Sequence, residues 1–206
     1  PMQRIVEPLT LMGAKILPSK DGTLPLSILP TDSLQSIEYT LPVASAQVKS
    51  CIMFAGLFAK GETKITEEVV TRNHTETMFN AFGIPVETSA SGGKKTISLS
   101  RVEAIKPANI DICGDFSSAS FFILAALISA DSEILIKNVG VNATRIGLLH
   151  ALRHMGANIE LLNEDEAYEP TADILVRSSN LKGISLNSAL VANMIDEMPA
   201  FFIAAA

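Results

Sequence analysis

Apolar residues recur along this chain in two periods, and the helical one is the clearer. Leu148, Leu149, Leu152 and Met155 fall on one face of a helix, and Gly156 follows where a helix-ending C′ residue belongs. The same helix-to-strand junction occurs three times, as Met12-Gly13-Ala14-Lys15-Ile16, Phe82-Gly83-Ile84-Pro85-Val86 and Met155-Gly156-Ala157-Asn158-Ile159, with the glycines 70 and then 73 positions apart. Two further pairs share the displacement of 73: Thr71-Arg72 returns as Thr144-Arg145, and Ser45-Ala46 as Ser118-Ala119. Ile195-Asp196-Glu197-Met198-Pro199-Ala200 resembles these helix starts and opens another copy.

Between the junctions, short alternating or β-branched stretches bounded by turn residues predict strands at Leu24–Leu29, Ile37–Val43, Thr96–Ser100, Ile110–Ile112, Ile134–Ile136, Asp173–Arg177 and Gly183–Leu186. Ser91-Gly92-Gly93 reads as a turn. The runs Cys51–Ala59 and Phe121–Ala130 are apolar nearly all round, which predicts helices at the centre of each domain. Both are shorter than the roughly 20 residues a membrane-spanning helix needs. The expected architecture is therefore α/β, with a pseudo-repeat of about 70 residues rather than the 20–50 of common solenoids. Pro8 is expected to kink or delay the first helix, since an interior proline loses a hydrogen bond at a cost of about 3 kcal/mol.

Composition narrows the function classes. The 206 residues, 48% hydrophobic and 18% charged, suit a soluble globular protein of one large or two modest domains. A formal charge of −6 and the lack of any basic cluster disfavour nucleic acid as a partner. Cys51 and Cys113 lack the paired spacing of a metal or redox motif, and read as buried thiols in a reducing cytoplasm. No second histidine or cysteine stands at ligand spacing from His74, so no metal is assigned.

An anionic small molecule must then be held locally, at helix starts where unpartnered N–H groups and the macrodipole meet. Ser45-Ala46-Gln47 has that character: a hydroxyl, an open backbone and an amide that both donates and accepts. Its plainer reading is an N-cap serine. Arg72, in Thr71-Arg72-Asn73-His74-Thr75-Glu76, is placed to clamp a phosphate or carboxylate or simply to be solvated, and Asn73 with Glu76 has capping-box spacing. Asp196-Glu197 sets two acids before an apolar helix; the dipole there keeps Asp196 ionised and able to accept a proton, or the pair merely complements the dipole. Asp115 reads as a structural N-cap, and Arg4, Lys49 and Arg145 as intramolecular partners of acids.

Ser45–Ser50 as S-A-Q-V-K-S and Thr71–Glu76 as T-R-N-H-T-E resemble, in order and separation, motifs of the EPSP synthases. Further matches are Pro1-Met2 with Arg4, Met12-Gly13-Ala14, Gly114-Asp115 with Ser117-Ser118, Thr144-Arg145-Ile146-Gly147, Met155-Gly156-Ala157, and Met194-Ile195-Asp196-Glu197 with Pro199. Asn73 departs from the family's usual aspartate, a change that keeps the cap chemistry.

The resemblance implies the enolpyruvyl transferase fold, an α/β architecture of inverse α/β barrel-like domains built from βαβαββ units. Residues 1–112 would belong to the first domain and 113–206 to the second, both incomplete, as in a central fragment of a protein about twice as long. It further implies transfer of the enolpyruvyl group of phosphoenolpyruvate to the 5-hydroxyl of shikimate 3-phosphate, with no cofactor or metal, in a cytoplasmic protein monomeric at full length. Ser45, Ala46, Gln47 and Arg72 would bind substrate and Asp196 would take the proton; this stretch alone is expected to be nearly inactive. The sister transferase acting on a UDP-sugar shares the fold but depends on a reactive loop cysteine, a setting that neither Cys51 nor Cys113 has. A non-catalytic repeat scaffold, whose polar helix starts are only caps, is the rival outside the enzymes.

Overall fold

The computed structural model describes residues 2–166, 168–186, 190–191 and 193–206; Pro1, which opens one of the matched motifs, lies outside them. The chain divides by its contacts into two compact units, Pro1–Ala108 and Asn109–Ala206.

The first unit opens with α1 (Gln3–Leu11) and the antiparallel pair β1 (Lys15–Leu17) and β2 (Ser27–Leu29). β3 (Leu34–Gln35) lies parallel to β5 (Ala59–Lys60). The rest is one βαβαββ unit: β4 (Glu38–Thr40), α2 (Ala46–Gly56), β6 (Glu62–Glu67), α3 (His74–Ala81), β7 (Glu87–Ser91) and β8 (Lys94–Ser100). Its sheet runs in the order β4-β6-β8-β7, with β4 parallel to β6 across α2 and the other neighbours antiparallel. Gly92 and Gly93, both at positive φ, turn β7 into β8 at the predicted place. Ile52, Met53, Ile65, Phe79 and Ile97 form the core between helices and sheet.

The second unit repeats the order. α4 (Phe116–Ile128), β9 (Glu133–Gly140), α5 (Gly147–His154), β10 (Asn158–Asp165) and β11 (Thr171–Arg177) follow one another, and the antiparallel sheet runs β10-β11-β9. A 3₁₀ turn (Ile195–Glu197) then leads into α6 (Met198–Ala205). Ile123, Leu127, Leu148, Leu149, Ile174 and Val176 are its fully buried centre.

The three repeated glycine junctions share one physical cause. Gly13, Gly83 and Gly156 take φ of +93°, +69° and +92°, and their N–H groups bond back to Thr10, Asn80 and Arg153 carbonyls. The next residue in each case, Ala14, Ile84 or Ala157, bonds to Leu9, Phe79 or Leu152. This is a Schellman C-cap three times over, at a backbone position that a side chain would strain.

Several expectations need correction. Residues 110–112 form no strand: Ile112 is 84% exposed, and a single parallel bridge between Gly114 and Val139 stands where β4 stands in the first unit. Residues 183–186 are also not a strand, having no neighbour to pair with among the described residues. The strands expected over 24–29 and 37–43 shrink to β2 and β4, and the one after Gly83 begins at Glu87. α1 starts at Gln3 and continues through Pro8, which is buried. The two apolar helices are buried on one side, not all round. Phe54 on α2, and Phe121, Phe122 and Ile128 on α4, are about half or more exposed, because no described residue covers that face. No helix of the described residues is long and apolar enough to cross a membrane.

Candidate functional site

Each unit gathers its polar helix starts around one buried cluster of charges. In the first, Ser45 caps α2: its backbone is extended, and its hydroxyl accepts the Val48 N–H at 3.3 Å. The plainer reading of Ser45 therefore holds, and a capping hydroxyl still has a proton to donate. Ala46 opens the helix with only a methyl group beside the backbone. Gln47 is exposed, and its Oε1 accepts from Arg4 Nη2 at 3.0 Å. Since a guanidinium can only donate, it is the amide oxygen of Gln47 that meets Arg4, which leaves both NH₂ hydrogens for other acceptors.

A cavity of about 360 Å³ adjoins this helix start, lined by residues that include Arg4, Glu7, Tyr39, Val43, Ser45 and Val48. Burial, and then the charge of Glu7, push the Tyr39 phenol above its ordinary value, so it remains a protonated donor. The α2 macrodipole, Arg4 and the Gln47 amide make this rim receptive to anions.

Arg72 lies in the loop between β6 and α3, half-buried. Its main-chain carbonyl accepts from Lys49 Nζ at 2.7 Å, which ties the loop to α2. Lys49 is fully buried and also meets Glu76 Oε1 at 3.0 Å and Glu67 at 3.2 Å. Glu76 thus faces Lys49, and Asn73 makes no side-chain cap, so the capping box expected between them does not form. The ion pair wins because a buried lysine without a counter-charge costs far more than an unmade cap.

In the second unit Asp115 caps α4, accepting the Ser118 N–H at 2.9 Å. Burial raises its carboxyl, but hydrogen bonds from Ser118 and Ser117 and the Arg145 charge outweigh that and hold it below its ordinary value. Arg145 Nη1 reaches the buried Glu197 at 2.9 Å and Asp196 at 3.6 Å, while Nη2 bonds the Ser117 hydroxyl. Asp196 sits in the 3₁₀ turn with its side chain 47% exposed. Among the described residues no cluster of His, Cys, Asp and Glu could hold a metal ion, and burial pushes the Cys51 thiol up, away from reactivity.

Ser45, Ala46, Gln47 and Arg72 are thus joined within the first unit through Lys49, and Asp196 belongs to the Arg145 cluster of the second. Sequence reading gave Lys49 no role beyond pairing and missed Arg4 as the partner of Gln47. The signal for Lys49 was present: the single charge of a mainly apolar helix, one turn after the capping serine, marks a buried ion pair.

All 206 residues match the family described as EPSP synthase (3-phosphoshikimate 1-carboxyvinyltransferase). The chain belongs to the EPSP synthase family. Among EPSP synthases, the 3-phosphoshikimate 1-carboxyvinyltransferases of Hydrogenovibrio crunogenus and Pelobacter propionicus are 46% and 48% identical to it over its whole length. The alignments take in 47% of each relative, so the chain spans about half the length of the curated relatives it matches. The solved EPSP synthase from Acinetobacter baumannii superposes with a TM-score of 0.87 at 46% identity, over all of this chain and 47% of that one. The enolpyruvyl transferase NikO from Streptomyces tendae covers the whole chain with a TM-score of 0.72 at 14% identity, over 49% of its own length, which shows a shared fold. The chain therefore has the enolpyruvyl transferase fold that the resemblance implied.

Proposed function

We propose that the protein transfers the enolpyruvyl group of phosphoenolpyruvate to the 5-hydroxyl of shikimate 3-phosphate, releasing phosphate. The observation that carries this reading is the identity of 46–48%, along the entire chain, to relatives named for that activity. The chemistry suits the residues. The hydroxyl oxygen adds to C2 of phosphoenolpyruvate as its proton passes to a base and a proton is added at C3. The C2–O bond to phosphate then breaks, and loss of a C3 proton restores the double bond.

In this reading Ser45, Ala46, Gln47 and Arg72 bind shikimate 3-phosphate, with the NH₂ of Gln47 also donating to phosphoenolpyruvate. Asp196 accepts the hydroxyl proton. Residues 1–112 and 113–206 are parts of two domains, and the full-length protein works as a cytoplasmic monomer without a cofactor. The apolar helix with Cys51 and the half-buried Cys113 give no support to the UDP-sugar alternative.

The test is phosphate release by a protein of full family length carrying this chain, with phosphoenolpyruvate and shikimate 3-phosphate. Release that requires both substrates supports the reading. No release, together with no calorimetric binding of shikimate 3-phosphate, favours the non-catalytic scaffold.

A further inference from the structure

Lys49 has three N–H donors, no exposure to solvent, and three acceptors around it: the Arg72 carbonyl at 2.7 Å, Glu76 Oε1 at 3.0 Å and Glu67 Oε2 at 3.3 Å. The shortest of the three bonds goes to a neutral main-chain carbonyl, although two carboxylates are available. Glu67 in turn accepts the Thr71 N–H at 3.1 Å and the Thr71 hydroxyl. The Thr71–Arg72 segment is thus held through its N–H by Glu67 and through its C=O by Lys49. Lys49 is also one helical turn from Ser45, whose carbonyl accepts its N–H at 3.1 Å. Lys95, 3.6 Å from Glu76, brings the cluster to two positive and two negative charges.

We propose that Lys49 is a positioning residue, which sets Arg72 at a fixed distance from the Ser45–Gln47 turn so that both address the same anionic substrate. The proposal rests on the substrate-binding roles given above to Arg72 and the Ser45–Gln47 turn.

Two arguments favour this role over simple stabilisation. A buried ion pair is a poor way to stabilise a core, since well-packed apolar residues of similar volume often do as well or better. The second unit supplies an internal comparison. The residue 73 positions after Lys49 is Phe122, which is 65% exposed, and the counterpart of Arg72 is Arg145. Where the lysine is missing, the arginine itself turns to a buried carboxylate, Glu197, at 2.9 Å. Lys49 takes up the internal acids of the first unit and holds Arg72 by its main-chain carbonyl.

The test is a double-mutant cycle in the protein of full family length, read as KM for shikimate 3-phosphate and as kcat. Lys49→Met/Glu67→Gln keeps the cluster neutral, leaving Glu76 with Lys95 at 3.6 Å, and so avoids an unpaired buried charge. It is expected to raise KM about tenfold with kcat within about twofold, the signature of lost substrate binding. In an Arg72→Ala background the same change is expected to raise KM by less than about twofold, since coupled residues are not additive. Equal effects in both backgrounds, or a fall in kcat at unchanged KM as folded enzyme is lost, overturn the proposal and leave the activity standing. A parent protein that releases no phosphate overturns both.

Discussion

Arg145 and Glu197, 52 positions apart, meet at 2.9 Å, and Glu197 is 1% exposed. The pair joins the loop before α5 to the 3₁₀ turn before α6, and Asp196 borders it at 3.6 Å. One carboxylate oxygen, Glu197 Oε2, is buried without a hydrogen-bond partner among the described residues, so the guanidinium is the main compensation for that charge.

Arg145→Met is therefore expected to lower stability by about 3 kcal/mol, the scale for stranding a buried charge. Chemical denaturation of the chain measures this. Arg145→Met/Glu197→Gln should recover part of the loss, because an uncharged amide is cheaper to bury. A loss below about 1 kcal/mol would mean that the pair contributes no more than a surface ion pair.

Asp115 gives a pH dependence of known sign. Its folded pKa lies below the unfolded one, so its contribution is complete above the unfolded value of about 3.9 and is lost as pH falls through the lower folded value. Asp115→Asn keeps the cap and should flatten the stability profile in that acid window, while Asp115→Ala should cost about 1 kcal/mol at neutral pH. Unfolding midpoints measured from pH 2 to pH 6 decide it; an unchanged profile for the asparagine variant would remove Asp115 as a cause.

Neighbouring apolar residues on α4 should differ sharply. Ile123 is fully buried, and its change to alanine is expected to cost about 2–5 kcal/mol. Phe122 is 65% exposed, and Phe122→Ala should stay within about 0.5 kcal/mol. Comparable losses for the two would show that the outer face of the helix is covered in solution.

Asp196→Asn, in the protein of full family length, is expected to lower kcat by a factor on the order of 10² to 10⁴, the range for a lost general base. The unfolding midpoint should hardly move, since the side chain is about half exposed. A kcat within tenfold of the parent value would assign the proton to another group.

What was legible in the chain was local. The Schellman glycines, the caps at Ser45 and Asp115, the turn at Gly92-Gly93 and the face of α5 each depend on residues within about four positions, and all form as read. The errors arose where pairing at a distance decides. Residues 110–112 have strand-like composition but a single bridged partner, and 183–186 have none among the described residues. Glu76 stands at capping distance from Asn73, yet Lys49, 27 positions away, takes its carboxylate.

The sequence by itself determined the repeat, the polar residues at each helix start and the family, because hydrophobic period, capping chemistry and motif order are all written along one dimension. Tertiary structure alone decided which charge faces which. Lys49 with Glu67, Glu76 and the Arg72 carbonyl, and Arg145 with Glu197, are brought together by helices packed on a sheet. The physical reason is the cost of burial: a charge enclosed by apolar neighbours must find its partner in space, and nothing in its sequence neighbours says which one that will be.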